Sequence, residues 1–193
     1  MRDLPSAGNM TGSLLVAHPS LRDPNFRRTI LFLSHHNAED GAVGLVLNRP
    51  LRKTMAEFPA LSAETGPLRR VPVFYGGPVG TDELLLASMQ WHEAPIGSSD
   101  TSSAIAFRGF GNASEEPVIP PEFHPGLRAF LGYSGWSRGQ LESEIAEKSW
   151  LVLPPARHLI EMKNPATAWR DLMHQLGPVY RLLADMPDDP SLN

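Results

Sequence analysis

A chain of 193 residues with 41% apolar and 20% charged side chains is long enough for one domain with a real core, and too poor in charge to be a disordered polyelectrolyte. Its 21 acidic residues outnumber 17 Lys and Arg, for a formal charge of -4, so no global basic field draws it to nucleic acid or an anionic membrane. The absence of Cys excludes disulfide frameworks, thiolate catalysis and Cys-ligated zinc or iron–sulfur centres, while 19 Pro predict many stiff loops.

Near the N-terminus the apolar run is only Leu14 to Ala17. A signal peptide needs about 7–15 apolar residues and a membrane span about 20. The expectation is a cytoplasmic protein without a membrane segment, in which residues 1–11 are a flexible lead-in, 12–180 the domain and 181–193 an acidic tail. Leu14–Ala17 reads as a short strand, followed by a loop from His18 to Phe26 with the turn-former Asp23-Pro24. Thr29–Ser34 and Ala42–Leu47 are apolar strand-forming runs separated by His35–Gly41, which ends in the turn chemistry Glu-Asp-Gly. Together they predict a β-hairpin with a seven-residue loop. Neither run alternates with polar residues, so both faces should be covered.

Asn48-Arg49-Pro50 closes the second strand, and a short helix is expected around Thr54–Phe58 before Pro59. Val73–Tyr75 leads into the tight loop Gly76-Gly77-Pro78-Val79-Gly80, and Leu84–Met89 and Ala104–Phe107 read as strands. Gly97–Ser103 reads as loop, and Glu115–Pro125, with its four prolines, as an irregular connection. In Leu127–Tyr133, Leu127, Ala129, Leu131 and Tyr133 share one face, and Arg128 and Phe130 the other. A capping box at Ser137/Gln140 predicts a helix to about Lys148, and Trp150–Leu153 a strand. Asn164 and Pro165 then open a helix whose apolar stripe is Trp169, Leu172, Met173 and Leu176, stopped by Gly177-Pro178. Strands outnumber helices and one pair is a hairpin, which predicts an α+β domain with a mixed, largely antiparallel sheet.

The hairpin also predicts a site. With Ser34 opposite Ala42, Arg28 falls opposite Asn48, and Asp23–Arg28 gathers beside Asn48-Arg49 at one end of the sheet. His35 and His36 then sit roughly 20 Å away, at about 3.3 Å per residue. The corner of Asp23, Arg28, Asn48 and Arg49 either binds a carboxylate or phosphate or is a structural turn network. Gly76 and Gly77 follow a strand, so their amides either cradle an anion or simply permit a tight turn. His35-His36 lacks a third ligand at helical or hairpin spacing, and no metal site is expected. Gly132-Tyr133-Ser134-Gly135-Trp136 lies where a hydrolase elbow would, but Trp136 replaces the last glycine of G-x-S-x-G. Trp136 is expected to pack or to line a pocket. Gln140, Glu142 and Glu144 read as a solvated helix face. The doublets Arg27-Arg28 and Arg69-Arg70 are isolated, which argues against direct nucleic-acid binding.

The segments GSLLVAHPSLRDPNFRRTILFLSHH, GAVGLVLNRPL, VFYGGPV and FLGYSGWSRGQLESEIAEKSWLVLP closely resemble the bacterial YqgE/AlgH family, in order and spacing from about Gly12 to Gly177. The resemblance implies a single α+β domain with a bulged, mostly antiparallel sheet and flanking helices. It carries the label of a transcriptional regulator and brings no enzymatic activity, cofactor or catalytic residue. Two positions depart from the family pattern: Ser134 stands where Ala is usual, and His35-His36 where a Glu precedes a single His. The stretch from Gly97 to Pro125 also fits the pattern poorly. The resulting expectation is a non-enzymatic binding or regulatory protein recognising a protein partner or a small anionic ligand. The candidates are Asp23, Arg28, Asn48 and Arg49, with Gly76, Gly77 and Trp136 secondary. The alternative is a hydrolase or transferase with a polar cleft at the sheet end.

Overall fold

The computed structural model describes residues 9–59, 66–92, 105–115 and 117–186. Along these residues run β1 (Leu14–Ala17), β2 (Ile30–Asn37), β3 (Gly41–Val46), β4 (Pro50–Thr54), β5 (Pro72–Tyr75), β6 (Val79–Trp91), β7 (Ile105–Asn112), β8 (Leu127–Trp136), α1 (Gln140–Ala146), β9 (Trp150–Leu153), α2 (Arg157–Ile160), α3 (Pro165–Leu176) and α4 (Pro178–Asp185). The strands form one sheet in the order β4-β5-β8-β3-β2-β1-β9, with β6 pairing both β8 and β7. The β5–β8 pair is parallel and the others are antiparallel, so the fold is α+β with a mixed, mostly antiparallel sheet.

Both faces of the central strands are covered, as their unbroken apolar runs predict. Leu14, Val16, Ile30, Phe32, Leu45 and Leu47 pack with Leu159, Ile160, Trp169, Leu172, Met173 and Ala184 from α2, α3 and α4. Leu15, Ala17, Leu31, Leu33 and Val46 face the other way, with Leu141 of α1, Trp136 and Trp150. α3 is fixed by Trp169, Leu172 and Met173 of its predicted stripe, while Leu176 stays exposed, and by the Trp169 indole N–H, which donates to the Ala17 carbonyl at 2.8 Å.

The hairpin differs from expectation in register and length. β2 continues through His35 and His36 to Asn37, and only residues 38–40 turn the chain. The Asn37 side-chain oxygen accepts the amides of Glu39 (2.6 Å) and Asp40 (3.0 Å), so a turn shorter than the expected seven-residue loop suffices. The register shifts between Leu33 and His35, leaving Ser34 as a bulge, and Ala42 faces His36 rather than Ser34. The bulge reverses the alternation and puts His36 on the α1 face with Leu33, while His35 is exposed. Gly132, at φ +67, has the same effect in β8: Leu127 and Ala129 pack in one cluster, but Tyr133 crosses to join Phe130.

Other elements are longer, later or additional. β4 follows directly on Asn48-Arg49, and the short helix after it is a 3-10 turn, Met55–Glu57, closed by the Thr54/Glu57 capping box. α1 starts at Gln140 because Gly139 is left-handed at φ 72; only half of the expected box forms, with the Gln140 side chain accepting the Ser137 amide at 3.0 Å. Gly177 turns the chain instead of ending it, and Pro178 opens α4, which carries helix past residue 181 to Asp185. The loop expected at Gly97–Ser103 lies outside the described residues, as do residues 1–8. Among the described residues no helix is long and apolar enough to cross a membrane.

Candidate functional site

The predicted corner assembles, through main-chain atoms. Asp23 organises a tight turn: its side chain accepts the Asn25 amide at 2.7 Å, and its carbonyl accepts the amides of Phe26 and Arg27. Asn48, 9% exposed, acts as a surrogate peptide group, donating to the Arg28 carbonyl and accepting the Ile30 amide, both at 2.9 Å. The Arg49 guanidinium donates to the carbonyls of Asn25 (2.8 Å), Arg27 (3.0 Å) and Pro24 (3.2 Å) and lies over the Tyr75 ring. Burial pulls the Arg49 guanidinium below its ordinary pKa and pushes the Tyr75 hydroxyl up. The Arg28 side chain takes another direction, over the Trp169 ring on α3, from a left-handed backbone at φ 57. Arg28 and Arg49 therefore do not form one two-pronged fork.

Gly76 and Gly77 sit at a close approach of strands. A Cβ at Gly76 would lie 2.1 Å from the Gly132 carbonyl oxygen, and one at Gly77 2.2 Å from the Tyr133 carbonyl carbon. The Gly76 amide donates to Leu131, and its carbonyl accepts from Val46 and from the Ser134 hydroxyl at 3.2 Å. Ser134 is fully buried, so its oxygen faces backbone and not solvent. Trp136 is 4% exposed and packs with Phe26 and Trp150. One Glu144 oxygen accepts both indole N–H groups, from Trp136 at 2.9 Å and Trp150 at 2.7 Å. Glu144 thus corrects the reading of its helix face as simply solvated.

His36 is 4% exposed. Its Nδ1 accepts the Met10 amide at 3.1 Å, so in the neutral ring Nε2 carries the proton and donates to Glu142 at 2.9 Å. The Glu142 carboxyl is held below its usual range by a backbone N–H and by this histidine. Among the described residues no three His, Cys, Asp or Glu gather as metal ligands.

The concavity best equipped to hold a ligand lies elsewhere. A cleft of about 720 Å³ opens where the ends of β6, the start of β8 and the end of α2 meet. Met89 and Leu127 are buried in its wall, Trp91 and Met162 are half-buried, and Arg70, His124 and Glu161 are exposed at it. Arg128 lies in it with its guanidinium over the Phe74 ring, 5.4 Å from the centroid, and one nitrogen donating to the Ile160 carbonyl. Burial pulls its pKa down, opposed in part by the Glu161 charge. Sequence reasoning placed Arg128 on the face of buried Phe130 but drew nothing from it. A lone cation on a core face was the available signal.

A family described as AlgH-like matches residues 14–181. Among relatives, an uncharacterised UPF0301 protein of Streptomyces avermitilis is 33% identical, with all of both chains covered. One from Thermobifida fusca is 35% identical, with 96% of each chain covered. The solution structure of the AlgH protein from Pseudomonas aeruginosa superposes with a TM-score of 0.60 at 25% identity, covering 96% of this chain and 98% of that one. A crystal structure of a protein from Corynebacterium diphtheriae, 20% identical, shares the fold with a TM-score of 0.64 over 96% of this chain and 95% of that one. With the bulged mixed sheet, its covering helices and this match across the domain, the chain belongs to the AlgH-like, or UPF0301, family.

Proposed function

We propose that this protein is a non-enzymatic binding protein that takes a small anionic ligand into the cleft at Arg128, with regulation exerted through occupancy. One observation carries the reading. Arg128 has five N–H donors, yet its one hydrogen bond to the described residues is to the Ile160 carbonyl, and no carboxylate there forms an ion pair with it. No buried side-chain nitrogen or oxygen among the described residues lacks a partner, so the donors that half-buried Arg128 leaves over open onto the cleft, where an anion can take them in place of water. The corner at Arg49 supports this choice of site by contrast, since its guanidinium already serves three carbonyls.

Acetate and inorganic phosphate, titrated in a thermal-shift assay at constant ionic strength, test the proposal. At least one should raise the melting temperature of the wild type, and Arg128→Met should abolish the rise. A wild type indifferent to both and also to phenylacetate, or a variant that responds equally, refutes it.

A further inference from the structure

We infer that the ligand of the Arg128 cleft is a monoanion with an apolar body, an aryl or branched alkyl monocarboxylate, held by its carboxylate at Arg128 and by its body against Trp91 and Met162. The inference rests on the binding reading above and adds the chemistry of the ligand to it.

Three features point the same way. First, much of the cleft lining around the cation is apolar, with Arg70, Gln90, His124 and Glu161 as its other polar members. Met89 is 2% exposed, Leu127 6% and Val71 8%, and Trp91 and Met162 are only half-buried, so part of their surface remains to be covered. A fully hydrated ion leaves that surface wet, whereas an amphiphile covers it. Second, the Arg128 guanidinium carbon lies 5.4 Å from the Phe74 ring centroid, and only one of its nitrogens is engaged on the described chain, at Ile160. The N–H groups left over belong to a planar fork that matches the two oxygens of a carboxylate. Third, Glu161 shares the cleft and carries a charge that Arg128 feels. Its carboxylate is paired with Arg157 at 2.9 Å on the exposed side. Arg70 is exposed at the same cleft and offsets that charge, so a second negative charge on a ligand gains no net attraction while costing its desolvation, which weighs against dicarboxylates and phosphate dianions. At about 720 Å³ the cleft is within the usual range for a small-molecule site.

The fluorescence of Trp91 provides the readout. Trp136, Trp150 and Trp169 are 3–4% exposed with their indole N–H groups engaged on protein oxygens, so an added ligand reports mainly through Trp91. The probes are phenylacetate, its neutral isostere phenylacetamide, succinate and inorganic phosphate. Phenylacetate should change the emission saturably, and the change should vanish in Trp91→Phe. Phenylacetamide, succinate and phosphate should each bind at least tenfold more weakly. Arg128→Lys should weaken phenylacetate about tenfold, and Glu161→Gln, an exposed change that leaves the core intact, should strengthen succinate at least threefold. Arg128-dependent binding of succinate or phosphate as tight as that of phenylacetate overturns the ligand class and leaves the binding reading standing. Failure of every probe to bind in an Arg128-dependent way overturns both.

Discussion

Replacing Glu144 with Ala tests how Trp136 and Trp150 are held. One carboxylate oxygen accepts the indole N–H of Trp136 and of Trp150, and the other accepts the Gln140 side-chain amide at 2.9 Å. Both indoles are buried, so the variant leaves two donors in the core without an acceptor. At about 1–3 kcal/mol for each orphaned donor the loss is roughly 2–6 kcal/mol. At about 2–4 °C per kcal/mol for a chain of this size, a loss near 4 kcal/mol lowers the melting temperature by about 8–16 °C. Glu144→Gln keeps an acceptor oxygen for the indoles and forfeits the charge and the exposed Gln140 hydrogen bond, so it should cost about 1–2 kcal/mol, near half the effect or less. Differential scanning calorimetry gives the magnitudes. Tryptophan emission should shift in the Ala variant, because two of the four indoles are affected. An Ala variant melting within about 2 °C of the wild type would refute the bridging role, since an unpaired buried donor cannot be that cheap.

Two further outcomes follow from the same geometry. Arg49→Ala removes three donors from the carbonyls of residues 24, 25 and 27, and thermal denaturation should show a loss of about 2–4 kcal/mol; Arg49→Lys should recover less than half, because an ammonium cannot span the three acceptors. An unchanged melting temperature would return Arg49 to the list of recognition residues. The Glu142 carboxyl is depressed in the folded state, so its stabilisation is complete above the unfolded value of 4.5 and fades as pH falls through the lower folded value. Glu142→Gln keeps an acceptor for His36, so the wild-type advantage in melting temperature should persist from pH 7 to about 5 and shrink below pH 4.5. A difference that grows toward acid pH contradicts the assignment.

Much of the architecture was legible because the chain writes it in short apolar runs. Leu14–Ala17, Ile30–Leu33 and Leu45–Leu47 carry no polar alternation, and a sheet covered on both sides is the arrangement that buries such runs. The exact register was not legible. Nothing in Leu33-Ser34-His35-His36 says which residue bulges, and that choice decides which histidine enters the core. α4 was hidden for a similar reason: Gly177-Pro178 stops one helix, and the same Pro is a good first residue for the next. Glu144 could not be identified from helix periodicity, because its partners come from β8 and β9 and meet only in the folded chain.

The residues of the sheet corner and the cation of the cleft play physically different parts. Asn48 and Arg49, Gly76 and Gly77, Gly132 and Trp136 each make contacts that set strand entry, close approach or core packing. Such residues satisfy backbone groups or fill fixed volumes, so any alternative leaves an orphaned polar group or a clash. Arg128 meets the first description only in part. Its guanidinium satisfies one backbone group, the Ile160 carbonyl at the end of α2, and leaves its other donors to the cleft. A cation with donors to spare at a cleft is a residue whose presence a ligand accounts for more fully than packing does. A stability measurement makes the distinction: Arg128→Met orphans one carbonyl where Arg49→Ala orphans three, so it should cost the unliganded protein less than half as much. A marked loss of stability in Arg128→Met, comparable to that of Arg49→Ala, would place Arg128 with the clasp residues and remove the reason for assigning the cleft a ligand.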